Sequence, residues 1–375
     1  MYQKFRRIFE LRGDPAAALR PMEGLRGLAV LLVFFVHYGG FCNALWTRAP
    51  GTALGGVLGL LAATGSYGVD LFFVLSGYLI YGQLMSRAQP FARYFRRRIQ
   101  RIYPVFLVIL AINGLLSLTL PGVIKWPTEP LAFALYLTAN LLLLPGLFPI
   151  DPIVLIAWSL SYEMLFYLLT PLAIRMLDLR AREPMQRILG IALVAVSAWV
   201  VMAFFGGPIR MVLFAAGMIL YELVRLELRP RDGGLTLLAL PVGFGLAMAH
   251  PAFEPDRPEI VALAVATFFI LCWGCFAHAG LARSLFSWAP LRWFGNMSYS
   301  YYLTHFLALN VLVGMVASVW TPGAEQQAMV HLVFMPVLFA LTLIPAAVCF
   351  VLIEKPLSLT PRREPHAMAE APAVT

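Results

Sequence analysis

The sequence predicts an all-α polytopic membrane protein. About ten transmembrane helices and one re-entrant or interfacial helix are expected, with both termini cytoplasmic. Three observations carry this. Of 375 residues, 61% are hydrophobic and only 13% charged, with a mean hydropathy of +0.80. Soluble chains average about 45–50% apolar and about 25% charged. The apolar residues come in runs near the ~20 residues a spanning helix needs, not in alternating ten-residue strands. Lipid offers the backbone no partners, so such runs must satisfy themselves as helices. Finally, Lys and Arg crowd some connections and avoid others, which is how cytoplasmic loops are marked. The net charge of +9 is therefore a topology signal, and no nucleic-acid partner is expected.

Residues 1–24 form a basic cytoplasmic segment. The apolar run at 25–45 is the first span; no A-x-A-like cleavage site follows it, as a signal peptide would require. Spans are then expected at 67–86 and 102–120. The basic connections at 91–101, 175–187, 225–232, 282–292 and 361–363 belong inside. Those at 250–259 and 321–327 are poor in Lys and Arg and belong outside. Only one of the segments 131–147 and 154–176 can then cross. The first is interrupted by Pro145, Gly146 and Pro149, so it is read as re-entrant or surface-lying. Spans follow at 154–176, 186–205, 208–224, 234–250, 259–279, 297–320 and 328–353. Residues 25–356 make one transmembrane domain. The tail 357–375 is short and expected to be disordered. No metal site or disulfide framework is expected: "CWGC" (Cys272, Cys275) lacks a second cysteine pair and reads as small core residues.

Ionisable residues within spans cost roughly 2.5–3.5 kcal/mol on insertion scales, so each needs a reason. Arg26 and His37 are eleven residues apart, almost a whole number of turns. They share one helix face at a separation of roughly 16 Å, with Arg26 near the inner edge and His37 near the outer one. Arg26 alone reads as a snorkelling side chain; the shared face suggests a polar path. Asp70 opens the second span from outside, where the helix dipole favours a carboxylate. Ser76 and Gly77 are small enough to let helices approach closely. In "FARYFRRRIQRIYP", Arg98 and Arg101 lie three apart on one face. That cluster serves topology and anionic lipid, or grips phosphate with its guanidinium forks. In "IAWSLSYEMLFY", Glu163 enters the membrane behind Trp158, Ser159 and Ser161. It is positioned to orient or charge-balance a histidine, and a pair with His37 is topologically possible. Tyr302 and His305 share a face in "NMSYSYYLTHF". Arg210 reads as an interfacial anchor, and Glu354 in "LIEKPL" as a partner for nearby arginines.

These motifs, in this order, resemble the acyltransferase-3 family of integral-membrane acyltransferases, the group of O-antigen and cell-surface polysaccharide O-acetylases. The resemblance rests on the Arg26-x10-His37 spacing, "GVDLFFVLSGYLI", "FRRRIQRIYP", "WSLSYEMLFY", "GNMSYSYYLTHF" and "EKPL". It covers essentially the whole chain, in the form without a hydrolase-like domain after the last span. It implies multi-pass residence in a bacterial inner membrane. It also implies transfer of an acyl group, usually acetyl, from cytoplasmic acyl-CoA to a carbohydrate or glycoconjugate hydroxyl. Acetyl-CoA is then a donor substrate, and no bound cofactor is expected; membrane lipids are further partners. By the same resemblance, Arg26, Arg98, Arg101, Tyr302 and His305 are expected at the donor. His37 is expected as general base or acyl carrier with Glu163 behind it, and Asp70, Trp158, Ser161 and Arg210 on the acceptor side. Two other readings use the same residues. A transporter would employ Arg26, His37 and Glu163 as a substrate or proton path, although no inverted repeat is evident. A membrane scaffold would need none of them for chemistry.

Overall fold

The computed structural model describes residues 2–11, 20–45, 53–119, 126–250, 253–277, 279–320 and 327–359. Most of the expected outer connection 321–327 and of the tail 357–375 lies outside them. Among the described residues every regular element is helical. In chain order these are α1 (Tyr2–Phe9), α2 (Arg20–Leu45), α3 (Ala53–Gly65), α4 (Gly68–Ser86), α5 (Phe91–Thr119), α6 (Pro130–Leu141), α7 (Trp158–Met176) and α8 (Pro184–Phe205). They continue as α9 (Val212–Arg225), α10 (Ala239–Ala249), α11 (Pro258–Ala277), α12 (Leu281–Phe286), α13 (Ala289–Asn296), α14 (Ser298–Val319) and α15 (Gln327–Cys349). The last runs on into a π-helical stretch, Phe350–Leu359.

Eight of the described helical runs are long and apolar enough to cross a membrane. The segments expected to span at 208–224 and 234–250 form α9 and α10, with 14 and 11 residues and a short 3-10 turn before each. At ~1.5 Å per residue neither helix matches a ~30 Å hydrocarbon layer alone. The chain turns before α9 at Gly206 and Gly207, whose φ angles of 80° and 133° suit residues without a Cβ. The interrupted segment at 131–147 gives the 12-residue α6, too short to cross. Asn140 ties off its end: its Oδ1 accepts from the Ile153 amide at 2.8 Å. Helix α3 was not foreseen. Its apolar, glycine-rich stretch lies against α2, where a Cβ on Gly65 would meet the Val36 nitrogen at 2.4 Å.

The two ends of the described chain meet on one face. Lys355 donates to the carbonyls of Arg7 and Ile8, and Arg292 of α13 pairs with Glu23 and Glu10. That is the arrangement an even number of crossings produces. Basic connections gather where spans end. Arg180 donates to the Leu84 carbonyl near the end of α4. Arg187 grips Glu222 through two bonds of 2.7 and 2.8 Å, with Tyr81 donating to the same carboxylate. A buried charge pair survives only when its hydrogen bonds are this complete.

Helices α4 and α9 cross at near backbone contact. A Cβ on Gly77 would lie 2.1 Å from the Phe214 carbonyl oxygen, and one on Gly217 would lie 2.0 Å from that of Val74. The small-residue expectation at Gly77 thus has a definite partner. Ser76 points the other way, to Glu163. Cys272 and Cys275 are fully buried in α11.

Candidate active site

A cavity of about 200 Å³ opens between α2, α4, α5, α7 and α14. Its polar lining is Arg26 of α2, Ser76 of α4, Arg98 and Arg101 of α5, Ser159, Glu163 and Tyr167 of α7, and Ser298, Tyr299 and Tyr302 of α14. Phe72, Phe73, Leu75, Leu79 and Ile80 supply an apolar wall from α4. Five helices drawn from across the chain therefore converge on one polar hollow within an apolar bundle.

The three arginines differ in what already holds them. Arg101 is committed: its Nη1 lies 2.5 Å from Oε1 of Glu354, and its guanidinium sits over the Tyr299 ring at 5.2 Å. Glu354 is 0% exposed, and its second oxygen accepts from the Ser300 amide and hydroxyl. This is the arginine pairing that "EKPL" suggested. Arg98 is half-committed. Its Nη2 donates to Gln83 Oε1 at 2.7 Å, and its guanidinium lies 5.6 Å from both the Tyr94 and Tyr167 rings. Among the described residues no carboxylate pairs with it, and its buried Nε has no partner. Arg26 lines the cavity, and among the described residues no hydrogen bond or ion pair engages it. The i, i+3 spacing thus does bring Arg98 and Arg101 to one place. It could not show that Glu354 already neutralises one of them.

Glu163 faces this cavity. Its Oε1 accepts from Ser76 Oγ at 3.0 Å and from Tyr167 Oη at 2.5 Å. It makes no contact with His37, so the expected His37–Glu163 pair is not formed. The reason is depth. Glu163 lines the same cavity as Arg26, whereas His37 lies outside that lining, eleven residues and roughly 16 Å further along α2. The position of Glu163 in α7 suggested the level of His37; the structure puts it at the level of Arg26.

His37 meets another histidine. Its ring centroid lies 5.1 Å from that of His305 and 5.1 Å from the Phe306 ring. His305 is completely buried, stacked on Tyr301 at 5.4 Å with 9° between the rings. It does not line the cavity, but Tyr302, one turn earlier on α14, does. The Tyr302 hydroxyl bridges Ser159 Oγ at 2.8 Å and the Ile156 carbonyl at 2.8 Å. His305 therefore sits about one helical turn from the edge of the hollow that Tyr302 lines, with His37 beside it.

Three of the four residues expected on the acceptor side, Asp70, Trp158 and Arg210, form a separate cluster, which Ser161 does not join. Arg210 lies buried, 3.3 Å from Asp70 and 2.6 Å from Asp256, over the Trp158 ring at 5.7 Å. It is a buried cross-brace between α4 and the connection before α11, not the simple interfacial anchor its position suggested. Burial opposes its charge, but Asp70 and Asp256 more than offset this and raise its pKa above the usual arginine value. Ser161 Oγ accepts from the Gly146 amide at 3.1 Å, fixing the turn after α6.

Residues 21–354 match a family model described as an acyltransferase domain, Acyl_transf_3. The chain is 26% identical over 319 residues to the O-acetyltransferase OatA of Staphylococcus aureus. That match covers 76% of this chain and 49% of OatA, so the chain spans about half of that relative's length. It is 26% identical to the acyltransferase MdmB of Streptomyces mycarofaciens, over 95% of this chain and 96% of MdmB. It is 28% identical to the exopolysaccharide production protein ExoZ of Rhizobium meliloti, over 66% and 78% respectively. No solved structure matches it. The chain belongs to the Acyl_transf_3 acyltransferase family and is an integral, multi-pass membrane protein.

Proposed function

We propose that this family member is a membrane O-acyltransferase of the bacterial inner membrane. It takes an acyl group, acetyl in the simplest case, from cytoplasmic acyl-CoA. It delivers that group to a hydroxyl of a polysaccharide or other glycoconjugate at the outer side. The names of OatA and ExoZ favour O-acetylation and a polysaccharide acceptor.

One observation carries the reading: a hollow with two guanidiniums that, among the described residues, have no carboxylate partner, bordered through Tyr302 and His305 by His37, which makes no hydrogen bond among those residues. Arg26 and Arg98 suit the phosphates of acyl-CoA, because guanidinium forks match phosphate oxygens. Arg101, held by Glu354, shapes that wall. The apolar α4 side suits the thin pantetheine arm. His37 then stands where the acyl carbon arrives. As general base it takes the proton of the acceptor hydroxyl while the oxygen attacks the thioester carbonyl. The C–S bond breaks and the CoA thiolate recovers the proton. As nucleophile, His37 instead attacks the thioester carbonyl, the C–S bond breaks and CoA leaves as thiolate. The acceptor hydroxyl then attacks the acyl-imidazole, the acyl–N bond breaks, and the hydroxyl proton goes to the thiolate, leaving His37 neutral.

The test is a deletion strain. Its surface polysaccharide should lose an ester-linked acyl mass, restored by the wild-type gene and not by His37→Ala. Purified protein should release free CoA from acetyl-CoA in the presence of that polysaccharide. An unchanged acyl inventory, or substrate movement without CoA release, would overturn the proposal in favour of transport.

A further inference from the structure

We propose that His305 is the positioning residue for His37: a neutral imidazole whose buried lone pair accepts a hydrogen bond from His37 during acyl transfer. This rests on the reading of His37 given above. It replaces the donor-binding role that sequence position suggested for His305.

The tautomer follows from contacts. Nδ1 of His305 lies 2.7 Å from the Tyr302 carbonyl and 3.0 Å from that of Tyr301. A carbonyl oxygen only accepts, so Nδ1 must carry the proton. The lone pair of the neutral ring is then on Nε2. That atom is buried without a partner, and leaving a buried acceptor unpaired costs free energy. The stack on Tyr301 fixes the ring plane. The neighbouring His37 ring makes no hydrogen bond among the described residues, and its centroid is 5.1 Å away. Each histidine thus lacks what the other supplies.

The chemistry uses this complementarity. When one nitrogen of His37 takes the acceptor proton, the ring becomes an imidazolium. Its other N–H donates to Nε2 of His305, and the positive charge gains an acceptor on a fully buried ring. The proton returns to the departing CoA thiolate, so His305 ends unchanged. On the acyl-histidine route the same bond leaves the attacking nitrogen of His37 with its lone pair free. A third group that orients the base is a recurrent requirement of such sites. A buried carboxylate commonly fills it; here the structure places an imidazole.

The experiment uses full-length protein in nanodiscs, acetyl-CoA as donor, and alkali-deacetylated cell-envelope polysaccharide from the source strain as acceptor. His305→Phe keeps the ring stack and removes the lone pair. It should lower kcat roughly 100-fold or more while the affinity for acetyl-CoA is unchanged. His305→Gln restores a carbonyl acceptor and should recover much of that loss. Full activity in His305→Phe, equal loss in both variants, or weakened acetyl-CoA binding in both would each overturn the inference. Should the Phe variant fail to fold, histidine-selective 15N NMR of the wild-type protein decides. The expected signal is an Nδ1-protonated His305, assigned by its absence from His305→Gln; an Nε2-protonated ring overturns the inference. If His37→Ala transfers normally, the reading of His37 itself has failed. If His37→Ala is inactive and His305→Phe is not, only the present inference has.

Discussion

Arg101→Met separates an arginine that holds the fold from those proposed to hold substrate. Arg101 and Glu354 form an ion pair at 2.5 Å, and the Glu354 side chain is 0% exposed. Removing one partner of a buried pair leaves an uncompensated charge and costs roughly 3–5 kcal/mol. The lower end applies here. The Arg101 side chain keeps 20% exposure, and Ser300 still donates two hydrogen bonds to the stranded carboxylate. About 3 kcal/mol is a large share of a native margin of roughly 5–15 kcal/mol. Arg101→Met should therefore show poor yield and a clearly lowered Tm in detergent. Arg101→Met with Glu354→Gln should recover most of the loss, because the amide needs no counter-charge and still accepts from Ser300. Thermal unfolding followed by size-exclusion fluorescence reads this directly. A single variant as stable as wild type, weakened only in acetyl-CoA binding, would refute the assignment of Arg101 to the fold.

The other perturbations are read in the same preparation. Arg98→Ala removes a guanidinium that has no carboxylate partner among the described residues. It should weaken acetyl-CoA binding by roughly 10- to 100-fold, the worth of a charge-assisted bond of about 1.5–3 kcal/mol, with stability largely retained; an effect confined to acceptor kinetics contradicts this. Glu163→Gln keeps an oxygen for Ser76 and Tyr167 but deletes the carboxylate opposing the cavity arginines, so the KM for acetyl-CoA should fall. A lowered kcat at constant KM would instead give Glu163 a part in the chemistry. Gly77→Ala pushes a methyl to within 2.1 Å of the Phe214 carbonyl oxygen. Parting α4 from α9 should cost roughly 1–3 kcal/mol, so an unchanged Tm would mean that the close crossing is wrong. Arg210→Ala strands the buried Asp70 and frees Asp256, which is 79% exposed. It should destabilise this end of the bundle, and Asp70→Asn should relieve much of the loss.

What the sequence disclosed and what it withheld divide along a physical line. Hydropathy along one dimension suffices to find apolar runs, so most spans and the short α6 were legible. Helical spacing within a run placed Arg98 beside Arg101, and Arg26 on the face of His37. Chain order and charge together anticipated Glu354 against an arginine. Contacts between helices are different: they depend on rotation about each helix axis and on the level each helix takes along the bundle, which nothing in a single chain fixes. Glu163 was therefore given to His37 and is found with Ser76 and Tyr167. His305 was given to the donor and is found against His37. Helix α3 was missed because 13 apolar, glycine-rich residues are too few for a span and resemble a loop. The two segments that became α9 and α10 looked like spans because hydropathy counts residues and does not see where a helix breaks.

The central claim is vectorial: donor inside, acceptor outside, His37 between. Sealed vesicles of one orientation, loaded with acetyl-labelled acetyl-CoA on the cytoplasmic side and given deacetylated polysaccharide outside, test it most directly. The account predicts that label appears on the outer polysaccharide as an ester, that CoA stays inside, and that His37→Ala does neither. Label leaving the vesicle still joined to CoA, or appearing outside unchanged with His37→Ala, would contradict it.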